Sequence, residues 1–197
     1  MKTKNTTKLQ TEKLVLMALL TALVAVLAYL GGFIKIGGLA SIPLTLIPVV
    51  LGGALLGPLT GAWLGGVAGA VFFATADAAF WFSLSIPGTV ITVMLKGILS
   101  GLCAGLAYKF FEKSNRYVAV FISAIVCPIV NTGIFLIGCL VFFLDTVNSM
   151  AASEGMSVAG YLIIFFVGLN FVFELVLNII ISPAILRILN IKKKTKA

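Results

Sequence analysis

The chain is 197 residues long, 61% hydrophobic and only 10% charged. A soluble domain of that balance could not cover its surface with polar groups, so a water-soluble fold is excluded. The formal charge of +8 lies in a few clusters rather than along a groove or face, so no nucleic-acid partner is expected.

A spanning helix needs about 20 apolar residues, which leaves room in this length for roughly six spans and short loops. Lys2, Lys4, Lys8 and Lys13 precede the first span. Lys109, Lys113 and Arg116 share one loop, and Arg187, Lys192, Lys193, Lys194 and Lys196 close the chain. With six spans these clusters all fall on one side, and positive charge marks the cytoplasmic side. Lys35, Asp77, Asp145 and Glu154 fall on the other. The expectation is an all-α integral membrane protein with six transmembrane helices and both termini cytoplasmic. Residues 1–12 form an N-terminal tail, 13–189 the membrane domain in the lipid bilayer, and 190–197 a basic tail. No A-x-A-like site precedes a soluble body, so no cleaved signal peptide is expected.

Span one covers about residues 14–30. Its Ala18, Ala22 and Ala25 recur at i, i+4 and i+7, a small-residue strip that admits close approach of another helix. A glycine-rich outer loop, 31–41, leads to a short span two, 42–56, made irregular by Pro43 and Pro48. Gly57-Pro58 turns the chain at once. Span three, about 59–76, carries Gly61, Gly65 and Gly69. Span four, about 89–111, carries Gly97, Gly101 and Gly105. Ladders of this kind allow backbone contact between membrane helices, here within the bundle rather than between two copies. The outer loop 77–87 between them contains Phe80, Trp81 and Phe82, an interfacial aromatic belt or a set of rings that stacks on or closes over a flat ligand. Span five runs over about 117–144 with Pro128 and Asn131-Thr132, and a polar outer loop, 145–157, precedes the last helix. No convincing repeat relates the halves, so an inverted-repeat transporter is not supported.

The last helix, 161–189, organises the rest. Asn170, Glu174 and Asn178 recur every four residues in an apolar run and share one face. An ionisable residue deep in a membrane helix is costly, usually faces the protein interior, and marks a functional site by default. Lys96 lies roughly 12 Å below the outer start of span four at ~1.5 Å per residue. Asn131 is near the middle of span five. These depths let Lys96, Asn131, Asn170 and Glu174 meet in one polar pocket for a small molecule, built from helices four to six. The alternative is a Lys96–Glu174 ion pair with amides bonded across helices.

The catalytic inventory is thin. The chain has no histidine, which removes HExxH and Ser-His chemistry, and no G-x-x-x-x-G-K-[ST] phosphate loop. Cys103, Cys127 and Cys139 sit in apolar runs without a CxxC, so neither a disulfide framework nor a metal site is expected. Neither an enzyme nor a cofactor is indicated.

Three stretches resemble a known family. The run from Ile42 through Gly57-Pro58 to Gly69, the Asn131-Thr-Gly-Ile-Phe135 segment, and the Asn170, Glu174 and Pro183 pattern are similar to the substrate-binding S component of energy-coupling factor (ECF) vitamin transporters. The likeness extends over about residues 13–187 and is nearest the pantothenate/riboflavin-like branch. It implies a six-helix S-component-like bundle in the plasma membrane of a prokaryote. Such a bundle captures a water-soluble vitamin from outside, in a pocket near the outer side capped by outer loops. It implies as partners an ECF transmembrane coupling protein and two cytoplasmic ATPases, which hydrolyse the ATP of this ABC-type importer. It would place the coupling-module docking face on Ala18, Ala22 and Ala25, and its outer-side pocket agrees with the substrate-binding residues expected from the depths and the aromatic loop: Lys96, Asn131, Asn170, Glu174 and Trp81. A cation at Lys96 suits a carboxylate such as that of pantothenate; if Glu174 neutralises it, riboflavin or another neutral micronutrient fits as well. A membrane scaffold or assembly subunit, with the polar residues serving only packing, is the reading from another class, and a self-sufficient secondary transporter is the third.

Overall fold

The computed structural model describes residues 2–32, 35–36, 40–41, 44–164 and 171–194. Helix α1 (Lys2–Gly31) leads to two two-residue strands, β1 (Lys35–Ile36) and β2 (Ala40–Ser41), paired antiparallel with Lys35 opposite Ser41. Seven further helices are α2 (Leu46–Leu56), α3 (Pro58–Phe72), α4 (Ala76–Leu84), α5 (Ile86–Phe111), α6 (Arg116–Phe142), α7 (Leu144–Ser153) and α8 (Val158–Tyr161). Helix α9 (Val172–Lys194) closes the chain. Among the described residues, Gln10–Gly31, α5 and α6 are each long and apolar enough to cross a bilayer. Helices α3 and α4 pass that test together but meet at 82°. With eleven residues, α2 is too short to span alone.

The glycine ladders are the seam of the bundle. A Cβ on Gly65 would collide with the Gly97 carbonyl, and one on Gly97 with the Gly65 carbonyl. Gly61 and Gly101 stand in the same relation. One turn on, a Cβ on Gly105 would lie 2.6 Å from Pro58 Cα. Helices α3 and α5 therefore touch backbone to backbone, within one chain as expected. The Gly57-Pro58 turn forms as the sequence implied: Gly57 has φ 108°, a region open to glycine at no steric cost, and Pro58 opens α3, where its missing N–H is no loss.

Four boundaries differ from the sequence reading. Helix α1 starts at Lys2 rather than after a frayed tail, since residues 2–13 contain neither Gly nor Pro to stop it. Helix α3 ends at Phe72, where the Thr75 hydroxyl donates to the Phe72 carbonyl, and the expected loop 77–87 is largely the helix α4 with Asp77 in its first turn. The expected loop 145–157 is largely α7, which buries Val147 and Ala151 at i, i+4. Helix α2 begins at Leu46 instead of residue 42; Pro43 lies outside the described residues.

Two cores result. Leu20, Val24, Val50, Leu64, Ala104, Cys127 and Ile185 fill the half of the bundle on the Gly57 side. Cys139, Phe143, Val147, Ala151, Tyr161 and Leu162 join α6, α7 and α8 into a roof, with Trp81 and Phe135 packed against it. Burial of these side chains, at about 25 cal/mol per Å² of apolar surface, is what holds the short helices α4 and α7 onto the long ones. The α5–α6 turn, with Lys109, Lys113 and Arg116, lies at the end away from this roof. So do the N-terminal end of α1 and the C-terminal end of α9, because Gly31 and Glu174 mark the opposite ends of those helices beside the cavity described next.

Candidate functional site

Between the two cores lies a cavity of about 130 Å³. At about 30 Å³ per water in the liquid that is room for several waters, more than one ion needs. Its walls include Lys96, Asn131, Glu174 and Trp81, four of the five predicted site residues. The fifth, Asn170, lies outside the described residues.

Helix α5 delivers Lys96. Side chains tilt toward a helix's N-terminus, so the lysine leans toward the roof and carries its ammonium to 5.0 Å from the Phe135 ring centroid and 5.6 Å from that of Phe72. Both distances are within cation–π reach. The rings attract the charge, and the aliphatic stem packs along apolar surface.

Helix α9 delivers Glu174, 2% exposed. Asn178, one turn on, is as buried and donates its amide to the Glu174 carbonyl at 2.9 Å. Ser182 repeats the step, donating to the Asn178 carbonyl at 2.8 Å. The expected polar stripe is thus present over Glu174 and Asn178 and extends to Ser182. Among the described residues neither carboxylate oxygen of Glu174 has a hydrogen-bond partner, nor has Asn178 Oδ1 or Thr92 Oγ1. Glu174 interacts with the Lys96 charge and with the Asn131 side chain, though neither comes within strict hydrogen-bond geometry of its oxygens. A packed structural ion pair would satisfy them, because an unpaired buried charge is strongly destabilising. Here both oxygens are buried, and Glu174 stands in the cavity wall beside Asn131.

Trp81 hangs from α4. Its ring meets Phe135 and Phe143 nearly edge to face, at 5.4 and 5.2 Å between centroids. Its carbonyl accepts the Thr89 hydroxyl at 2.8 Å, which ties the roof to α5. Of the aromatic trio, Trp81 lines the cavity, Phe80 is exposed, and Phe82 packs 5.5 Å from Phe73.

The expectation that helices four to six alone build the site is corrected. Leu27 and Ala28 from α1, Leu46 and Val49 from α2, and Phe72 from α3 also form its walls. Sequence reasoning missed Phe72 and Phe135 as the pair around the ammonium, and Thr92 and Asp77 as lining groups. Asp77 was visible as one of six acidic residues; the two phenylalanines carried no signal among fifteen.

On α1, Ala18 and Ala22 are exposed and Ala25 is half-buried, on the side away from buried Leu20 and Val24. No group of three or more His, Cys, Asp or Glu side chains that could hold a metal occurs among the described residues.

An apolar helical bundle with a cavity walled by one cation, Lys96, and two carboxylates, Asp77 and Glu174, is the arrangement of a multi-pass membrane protein with room for a small molecule. The sequence profile of the family "ECF transporter, substrate-specific component" matches residues 12–186, and the chain belongs to that family. It is therefore a transport subunit with a small-molecule substrate that works beside an ECF module. No curated protein and no solved structure matches the chain significantly.

Proposed function

We propose that this chain captures a water-soluble vitamin acid, pantothenate, from the outside and passes it inward through an ATP-driven module of one transmembrane coupling protein and two cytoplasmic ATPases. The observation that carries the substrate is the pairing of a cation, Lys96, with an unpartnered acceptor, Glu174, in one small cavity. A charge-assisted bond from an ammonium to a carboxylate is about twice as strong as a neutral one, and a site that excludes water strengthens it further. Pantothenate supplies the carboxylate together with hydroxyl and amide donors.

Riboflavin is the weaker reading. A flat ring system needs an aromatic face to stack on, and Trp81 is already met by Phe135 and Phe143, while Lys96 sits over Phe72 and Phe135. A scaffold needs no cavity with a buried carboxylate. In the proposed topology six passes cross the membrane of a prokaryotic cell, the α4–α7 roof faces outward and both termini are cytoplasmic. The placement of the basic clusters away from the roof supports it. Ala18, Ala22 and Ala25 form the face that docks on the coupling protein.

Thermal-shift measurements on the purified protein against the B vitamins test the substrate. Pantothenate should raise the midpoint, with a stabilisation that grows as the logarithm of one plus ligand concentration over Kd. A shift with riboflavin alone would overturn the assignment.

A further inference from the structure

Helix α6 serves as a ruler for the cavity. Glu174 neighbours Asn131 and acts on the Cys127 thiol. Lys96 neighbours Phe135 and acts on Cys139. Asn131 and Phe135 follow each other by one turn of α6, so the two charges sit at different heights, about one turn or roughly 5 Å apart, and act on each other. Lys96 is the one nearer the roof, beside Phe135 and at the Phe72 end of α3. Glu174 is the deeper one.

Both charges keep bonding capacity. An ammonium has three N–H donors, and ring faces attract its charge without occupying them as strong acceptors do. Both Glu174 oxygens lack partners among the described residues. An ionised carboxylate only accepts, so what meets it must donate.

We propose that the cavity holds an elongated hydroxy acid in one orientation. Its carboxylate lies at Lys96, between Phe72 and Phe135 beneath the roof, and its hydroxyl and amide donors lie about one turn deeper, at Glu174 and Asn131. This assignment rests on the small-molecule reading above and adds to it the bound orientation of the ligand: the uncharged, hydroxylated end lies deeper. Specificity is then divided. Lys96 selects acid over neutral analogue, and Glu174 selects hydroxylated over deoxygenated analogue.

The test is a binding matrix by titration calorimetry. The probes are pantothenate, its alcohol panthenol, and the pantothenate analogue lacking both hydroxyls. The proteins are the unsubstituted chain, Lys96→Met and Glu174→Gln, each first shown to unfold cooperatively. The unsubstituted chain should prefer pantothenate over either analogue by tenfold or more. Lys96→Met should erase the preference for acid over alcohol and keep the preference for the hydroxylated ligand. Glu174→Gln should do the reverse. Loss of both preferences together in both variants, or preferences untouched by either, overturns the orientation while leaving pantothenate as substrate. Failure of all three probes to bind the unsubstituted chain, with another vitamin binding, removes the substrate reading and the orientation together.

Discussion

Gly65 and Gly97 each occupy the space that the other's Cβ would need, across the α3–α5 contact. The consequence is a packing tolerance of zero at two positions far apart in sequence. Gly65→Ala and Gly97→Ala should each destabilise the protein by about 1–3 kcal/mol, the usual range for forced overpacking. Gly133→Ala, where an added Cβ meets nothing within 4 Å, should not. Thermal unfolding in detergent measures all three, and equal midpoints would show that the backbone contact is not formed.

Topology is open to labelling. With the basic clusters cytoplasmic, cysteine introduced at Ser114 should react with an impermeant reagent only from inside, and cysteine at Ser153 only from outside. Both positions lie outside the long apolar helices, and Ser153 closes α7. Reaction of both from one side would remove the six-pass arrangement.

Docking at α1 predicts a separation of functions. Ala18→Trp or Ala22→Trp places a bulky ring on an exposed small-residue face, which should abolish uptake by holding two helices apart. Ligand binding to the isolated chain should survive, because the cavity wall on α1 is Leu27, Ala28 and Gly31. Normal uptake by both variants would end the docking assignment.

The two readings of Glu174 make opposite forecasts for the ligand-free protein. A buried polar group without partners costs about 1–3 kcal/mol, more when charged, so Glu174→Met should raise the ligand-free unfolding midpoint and abolish the ligand-induced shift. Were Glu174 there to neutralise Lys96, the same change would strand a charge and lower stability sharply. A lower midpoint would make the pair structural.

The long apolar segments, the glycine ladders and the Glu174–Asn178 stripe were legible because each is periodic over several turns. Helices α4 and α7 were not. Two or three turns give too few repeats to separate a helix from a loop, and Asp77 and Asp145 near their starts read as polar punctuation. The walls from α1, α2 and α3 were invisible for another reason: Val49 and Phe72 look like any lipid-facing residue, and only tertiary packing turns them inward. Lys96, Asn131 and Glu174 stood out in the sequence because charge and amide groups in hydrocarbon demand an explanation, whereas a phenylalanine beside an ammonium demands none.

The contact between α3 and α5 has a mechanical meaning. A seam made of main chain has no rotamers through which to relax, so these two helices behave as a single stiff plank. Lys96 rides on that plank, while Glu174 rides on α9, which packs against α6 and α2. On the proposed orientation, the ligand that bridges Lys96 and Glu174 acts as a clasp between the plank and α9.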